Sequence, residues 1–460
     1  MEPDLKPCDI ALETSRLQGA DEAEVYHERE LGLEIKAFGG HVEKFSYSES
    51  AGVGVRVFVG GRPGRAYTSD LSAEAIEEAA RSAVESAQVS PEDPHRFLPE
   101  PELFPSGALD GALLGEDLCI WTGDLAEVDT EEKLEFALEL EKLAKEFDPR
   151  VKGVEIAVYD ESTSNIALAS TRGFRAGYRS SVCYGYLMAI AEEKGESQTG
   201  FGFTAGRSFG SLDVRSAAEE AASKAVDLLG ARQVETARVP VLFDNLSTAE
   251  LIAVLGMSLS AESVVKGKSF LADKLGQRIA SESLDLMDDG QMEGGFGTAP
   301  FDAEGLETSR KALIEQGTLA TFLHNCYTAS RTGVQSTGNA GRSSFRASVG
   351  VTPTNLYMKP GNDTPEELRS GMGTGFEVLE LQGVHVGLNP VTGEVSVGAK
   401  GRWIENGRTV HPVREVTIAG TMEDILKGIV GIGNDVRFTP LLGGIGTPSV
   451  LVGGLMVGGK

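Results

Sequence analysis

Gly401-Arg402-Trp403-Ile404-Glu405-Asn406-Gly407-Arg408-Thr409-Val410 decides the architecture of the C-terminal half of this chain. An Asn-Gly pair tolerates the positive φ that both central positions of a type I′ turn require. The segment therefore reads as two antiparallel strands hinged at Asn406-Gly407. Short strands and glycine turns spread outward from it over nearly everything beyond residue 281, as at 317–323 and 394–397. A single helix precedes them: Ser247-Thr248-Ala249-Glu250 has the form of a capping box and predicts a helix through 251–257. Region 236–460 is read as a β-rich domain with one early helix.

Further toward the N-terminus the same pattern occurs twice. A helix over 9–17 leads to strand-like segments at 24–26, 33–37, 41–48, 52–59 and 64–68, and Ser72 then opens an amphipathic helix to residue 88. The second copy begins with a helix over 130–147, with Asp129 at the N-cap and Glu132 at the capping-box position. Strands follow at 154–159, 164–170, 173–191 and 200–204, then a helix over 214–229. Each copy reads helix, antiparallel strands, helix, so helices should cover one face of a meander. Pro91, Pro94, Pro99, Pro101 and Pro105 make 89–126 an extended linker, because proline removes a donor and disfavours helix before it. The expected class is α+β, with domains at 1–105, 106–235 and 236–460.

Composition narrows the function. The 460 residues, 41% of them hydrophobic, suffice for a sizeable core, which excludes a disordered chain. The 57 glycines exceed the average of roughly 7%; Gly52-Val53-Gly54-Val55 and Gly453-Gly454 predict tight turns between strands. A net charge of -27, without clustered Lys and Arg, argues against direct contact with nucleic acid or an anionic membrane. Cys8, Cys119, Cys183 and Cys326 lie far apart and form no Cys-x-x-Cys pair. Together with an N-terminus lacking a basic-then-apolar signal, they point to reduced thiols and a cytoplasmic protein. No apolar run approaches the roughly 20 residues of a membrane helix.

The hairpin also carries a family resemblance. Trp403-Ile404-Glu405-Asn406-Gly407, followed by Pro412-Val413-Arg414-Glu415-Val416-Thr417-Ile418-Ala419-Gly420, resembles the C-terminal domain of the TldD/TldE (PmbA) family, whose older name is modulator of DNA gyrase. Asp288-Asp289-Gly290, Phe301-Asp302-Ala303-Glu304-Gly305, Leu313-Ile314-Glu315-Gln316-Gly317-Thr318-Leu319, Ser336-Thr337-Gly338-Asn339-Ala340 and Thr354-Asn355-Leu356-Tyr357 are similar to it as well. In the N-terminal half, 52–59 with Ala66-Tyr67-Thr68-Ser69-Asp70-Leu71 looks like the family's first domain. The resemblance covers nearly the whole chain in order. It implies a cytoplasmic assembly of one catalytic and one non-catalytic subunit that cleaves unfolded or leader peptides, as in the maturation of peptide antibiotics and the turnover of an antitoxin. Catalytic members carry His-Glu-x-x-x-His on the helix that opens the C-terminal domain, and a cysteine near the C-terminus is a further zinc ligand.

This chain departs from that pattern. With Lys266-Gly267-Lys268-Ser269 as anchor, Ile252 stands for the first His, Ala253 for the Glu and Met257 for the second His. Alkyl groups cannot ligate Zn²⁺ and a thioether is a poor donor for it. No His lies between His95 and His324, and no Cys follows Cys326. The expectation is a TldE-like subunit with no catalytic residues, no metal ligands and no cofactor of its own. Zinc would sit in a TldD-like partner, and the isolated chain would be inactive and able to form a homodimer.

Other motifs are weaker. His27-Glu28-Arg29-Glu30-Leu31 lacks a second His. His324-Asn325-Cys326 puts two donors at i, i+2 of what reads as a strand end, with His385 and His411 the further candidates. Gly206-Arg207-Ser208-Phe209-Gly210 matches a nucleophile elbow but reads as a loop ahead of a helix. Ser263-Val264-Val265-Lys266 lacks its companion motifs. Gly267-Lys268-Ser269 has Glu262 where a P-loop needs glycine. Residues 336–344 are the candidate functional stretch: glycines permit close backbone approach, and Thr337, Gly338, Asn339 and Arg342 can hold an extended peptide main chain or form a subunit contact. Two alternatives stand beside the leading reading, a homodimeric peptide-binding or regulatory protein and a serine hydrolase using Ser208 or Ser263.

Overall fold

The computed structural model describes residues 3–440 and 443–460. Its first half runs α1 (Lys6–Leu17), β1 (Glu22–Phe38), β2 (His41–Val59), β3 (Arg62–Thr68), α2 (Ala73–Val89), β4 (Ala112–Leu113), α3 (Thr130–Phe147), β5 (Val151–Ser170), β6 (Arg175–Glu193), β7 (Glu196–Gly206) and α4 (Val214–Asp227). The two copies fuse into one sheet. β1 and β5, the first strand of each copy, pair antiparallel from Glu24↔Ser170 to Ala37↔Ala157 without a register shift. The resulting order is β3-β2-β1-β5-β6, with β7 and the short β4 both on β6. The segments on either side of residues 105/106 thus share a continuous ladder.

The strands are far longer than their hydrophobic runs. Segments read as separate, such as 24–26 and 33–37, belong to one 17-residue strand. Polar residues from His27 to Glu30 interrupt the apolar pattern while the ladder continues through them. Side chains alternate between the two faces. Val25, Ile35, Val53, Val55 and Val57 lie under the four helices, in two apolar clusters. Glu24, Tyr26, Glu28, Arg56, Ile166 and Leu168 occupy the opposite face, part of which forms a cluster with Phe174, Phe301 and Phe345. Helices thus cover one face, as expected, and the C-terminal half covers the other. Asp129 caps α3 without a side-chain hydrogen bond, so the predicted capping box there does not form. The proline-rich stretch is no free linker: Leu98, Ala108, Ile120 and Leu125 are buried in it, and β4 pairs with β6.

The second half runs β8 (Ala237–Phe243), α5 (Asn245–Ser258), α6 (Ala261–Val265), β9 (Leu286–Asp289), β10 (Arg310–Glu315), β11 (Thr318–Leu319), α7 (Cys326–Thr332), β12 (Ala340–Gly341), β13 (Gly350–Val351) and β14 (Leu356–Met358). It continues with α8 (Pro365–Gly371), β15 (Gly375–Gln382), α9 (Val384–Gly387), β16 (Glu394–Glu405), β17 (Arg408–Thr421), α10 (Met422–Lys427), β18 (Ile429–Ile432), β19 (Arg437–Thr439), β20 (Ile445–Thr447) and β21 (Val450–Gly458). α5, with 14 residues, is the long early helix; the others here have seven or fewer. One sheet runs β11-β10-β9-β14-β20-β19. The other runs β17-β16-β15-β8-β21-β18, and a further β17–β21 pairing closes five of its strands into a ring. The decisive hairpin forms as read: Glu405 pairs with Arg408, and Asn406 and Gly407 take φ of 52° and 71°.

Gly52 and Gly54 do not make turns. Both lie inside β2, as Gly453 and Gly454 lie inside β21. A side chain on Gly54 would place Cβ 2.2 Å from the Phe345 carbonyl oxygen, and one on Gly52 would enter the Phe345 ring. Their absent side chains let loop 342–349 of the C-terminal half lie on the sheet. Gly54→Ala is expected to lower unfolding free energy by about 1–3 kcal/mol through overpacking, read as a fall in the denaturant midpoint at unchanged m-value.

Candidate functional site

α5 opens the C-terminal domain, and Asp244 starts it one turn earlier than expected. The Asp244 carboxylate accepts the Ser247 N–H at 2.8 Å, and its carbonyl accepts the Thr248 hydroxyl at 2.9 Å. Ser247 is therefore not the cap and Glu250 closes no capping box. Ile252, 3% exposed, packs in the core cluster with Leu426 and Val450, whereas Met257 is 57% exposed. A zinc ion does not fit this set: one alkyl group faces the core, Ala253 offers no donor, and a lone thioether faces solvent. Among the described residues, no three His, Cys, Asp or Glu side chains gather to hold a metal ion.

The candidate stretch 336–344 lies at the seam between sheet and C-terminal domain. Gly338, Asn339 and Arg342 line a cavity of about 230 Å³, together with Tyr26, Tyr178, Asp302 and Thr354. Gly338 has a φ of 67°, and a Cβ there would sit 2.5 Å from the Glu307 carbonyl oxygen, so only glycine fits. Asn339 is 1% exposed, with its amide engaged inside the chain. Nδ2 donates to Asp288 Oδ2 (2.8 Å) and to the Thr352 carbonyl (3.1 Å), while Oδ1 accepts from Lys311 Nζ (2.9 Å) and Thr337 Oγ1 (2.8 Å). Thr337 Oγ1 also accepts the His324 N–H at 2.7 Å, and Thr337 does not line the cavity. Arg342 pairs with Glu24 and lies over the Tyr26 ring at 5.1 Å. The structure thus brings these four residues together but directs Asn339 and Arg342 into internal contacts.

Arg342 belongs to a buried charge network joining the two halves. Arg56 Nη2 meets Glu24 Oε2 at 2.6 Å, and Arg56 Nη1 meets Glu304 Oε1 at 2.9 Å. Glu24 and Glu304 are 1% and 3% exposed. Glu304 also accepts the Cys326 N–H at 2.8 Å, and Glu28 accepts the Phe345 N–H at 2.9 Å. Burial and then Glu304 beside it push the Asp302 carboxyl above its ordinary range, against the pull of the Ala340, Glu304 and Leu306 N–H groups.

His324 and Cys326 do not share a strand face. Asn325 is the N-cap of α7 and Cys326 its first residue, so the donors diverge. Burial, then Glu304 and Asp302, push the Cys326 thiol far up, and burial lowers His324, so the site disfavours both a thiolate and an imidazolium. Ser208 lies in the loop after β7, its carbonyl accepting the Ser211 hydroxyl at 2.6 Å, in an antiparallel sheet without the corner that a nucleophile elbow needs. Its neighbour Arg207 is a clasp, donating to the Ser181 carbonyl (2.7 Å) and to those of Gly294 and Gly295.

Sequence reasoning missed two features. Glu250 lines a cavity of about 290 Å³ between β7 and α5, near Lys224 and Glu380, and its Oε2 has no hydrogen-bond partner. Burial first, then Asp244 and Glu380, push its carboxyl up to about 7. The second is a groove of about 810 Å³ beside β3, lined by Arg56, Arg65, Arg96, Arg342 and Arg346. The alternation Gly52-x-Gly54 was its available signal, since glycine within a strand marks close approach.

Residues 23–87, 123–229 and 236–459 match, in turn, the PmbA/TldA metallopeptidase domain 1, central domain and C-terminal domain. The metalloprotease PmbA of Escherichia coli O157:H7 is 30% identical over 419 residues, covering 91% of this chain and 88% of that protein. A crystal structure from Thermotoga maritima, described as a modulator of a DNA gyrase, superposes with a TM-score of 0.88 at 27% identity, over 98% of this chain and 99% of that one. TldE from Thermococcus kodakarensis gives 0.88 at 23% identity, over 98% and 100%, a likeness of fold. The chain belongs to the PmbA/TldD metallopeptidase family.

Two outcomes follow from the charges. Glu24→Ala leaves the Arg342 guanidinium buried without its carboxylate and should cost about 3–5 kcal/mol in urea unfolding. For Glu250, a carboxyl raised in the folded state binds its proton more tightly than in the unfolded chain. Its contribution is therefore present below about pH 4.5 and lost as pH rises through about 7. Glu250→Gln should match the parent at pH 5 and exceed it at pH 8 by on the order of 1 kcal/mol, read from thermal or urea midpoints at both pH values.

Proposed function

We propose that this chain is the non-catalytic, TldE-like subunit of a cytoplasmic metallopeptidase that processes or degrades unfolded and leader peptides. A zinc-bearing, TldD-like homologue is its partner and supplies the hydrolytic ion. One observation carries the reading: α5 opens the C-terminal domain as in a metallopeptidase family, yet presents Ile252 to the core and Met257 to solvent, with no imidazole, carboxylate or thiolate at the corresponding positions. The role left to such a subunit is to enclose and position the peptide. A row of rings on the face of β6 and β7 opposite the helices adds support. Tyr184, Tyr186 and Phe201 follow one another at 6.1–6.2 Å, a half-buried aromatic surface of the kind that subunit contacts enrich, and the row continues to Phe203, which is buried beneath Arg437.

Pull-down of the tagged chain from native extract tests this directly. A homologue with His-Glu-x-x-x-His should co-purify, zinc should be found in the complex and not in the isolated chain, and unfolded casein should be cut only by the mixture. Stoichiometric zinc and peptide cleavage by the isolated chain would sink the reading. Recovery of the chain only as a homodimer, with no catalytic homologue, would favour a peptide-binding protein without a proteolytic partner.

A further inference from the structure

β3 ends the large sheet. It pairs with β2 alone, so its outer backbone edge has no strand partner among the described residues. α2 runs beside that edge and turns Ala75, Ala79, Ser82 and Ser86 toward it, small side chains that leave the groove of about 810 Å³ open. Loop 342–349 forms the other wall, held on the sheet through Gly52 and Gly54.

The electrostatics of this groove oppose those of the chain as a whole, which carries 69 acidic and 42 basic residues. Five arginines line it against one carboxylate, Glu78, which itself pairs with Arg81 at 3.1 Å. Arg56 and Arg342 are matched by Glu24 and Glu304, and Arg96 by Asp93 at 3.3 Å. Arg65 and Arg346 have no carboxylate partner among the described residues. Arg65 donates to Ser348 Oγ at 2.5 Å, and the Arg346 guanidinium lies over the Phe345 ring at 5.0 Å. Tyr67, on the same face of β3 as Arg65 and 56% exposed, stands edge-on to Phe345 at 6.3 Å.

We propose that this groove binds an extended acidic peptide segment, its main chain adding to the edge of β3 and its carboxylates meeting Arg65 and Arg346. An added strand satisfies the backbone groups of β3 and sends every second side chain to the face where those guanidiniums stand. Paired N–H groups of each guanidinium match a carboxylate, and Tyr67 with Phe345 gives apolar surface to a residue between acidic positions. A basic segment meets uncompensated positive charge instead. This site is separate from the partnership proposed above: loss of the partner leaves it intact, and loss of the groove leaves the missing metal donors unchanged.

Fluorescence anisotropy on the isolated full chain tests it, using labelled peptides of about eight residues, roughly 26 Å when extended. Alternating Thr-Glu, Thr-Gln and Thr-Lys peptides serve as probes. The Thr-Glu peptide should bind at least about tenfold more tightly than Thr-Gln, and the preference should shrink as salt rises from about 50 to about 500 mM. Arg65→Glu with Arg346→Glu should weaken the acidic peptide at least about tenfold and reverse the preference toward Thr-Lys. Ser82→Glu, on the opposite wall, is the second variant should the double change disturb folding, and it should weaken Thr-Glu alone. Circular dichroism melts confirm that each variant is folded. Equal affinity for Thr-Glu and Thr-Gln, or undiminished binding in both variants, overturns the proposal. So does a dimer of the parent chain that dissociates in Arg346→Glu, which would assign the groove to a second copy.

Discussion

Everything in this molecule hangs on the antiparallel ladder between β1 and β5. Joining the leading strands of two similar units leaves every helix on one face and frees the other face along the whole sheet. Because side chains alternate, the same ladder sorts chemistry: valines and alanines go under the helices, while Glu24, Glu28 and Arg56 go to the opposite side. A slip of one residue would exchange these sets, burying carboxylates under α1 and α2 and offering valines to the C-terminal half.

The charged face is bearable because the C-terminal half supplies its counter-groups. Arg342 and Glu304 come from segments some 250–320 residues away in sequence, and Phe345 donates its N–H to Glu28. Such a seam is specific more than it is adhesive. Ions taken out of water recover their hydration only with the right partner in the right place, so the two halves have one way to dock. Where Gly52 and Gly54 remove side chains, contact becomes backbone against ring and carbonyl, and the loop that carries Arg342 and Arg346 is positioned by van der Waals contact as well as by charge.

Local chemistry made parts of this fold legible. Asn406-Gly407 announced its hairpin because few other pairs accept two positive φ values, and α2 followed from its apolar periodicity. Strand continuity was hidden because polar residues such as Glu30 and Ser162 sit mid-strand, bonded to each other across the sheet, where a linear reading does not bring them near. Gly52 and Gly54 read as turns because their reason for being glycine, Phe345, lies almost 300 residues on. The same distance explains the candidate stretch. Asn339 and Arg342 look free to hold a ligand until Asp288, Lys311 and Glu24 are placed beside them. What the α5 helix lacks could be read directly, since donor chemistry needs no contact map.

The long sequence separation across the seam also has a temporal side. A ribosome makes chains from the N-terminus, and contacts remote in sequence close late. The helix-backed sheet has all its strands and both apolar clusters by residue 227, so it can assemble while its acidic face is still bare. Until the C-terminal half brings Arg342 to Glu24 and the Phe345 N–H to Glu28, these carboxylates face water on the emerging half-molecule, where charge favours solubility. The ions that later specify docking would first have served as the nascent chain's own solubiliser.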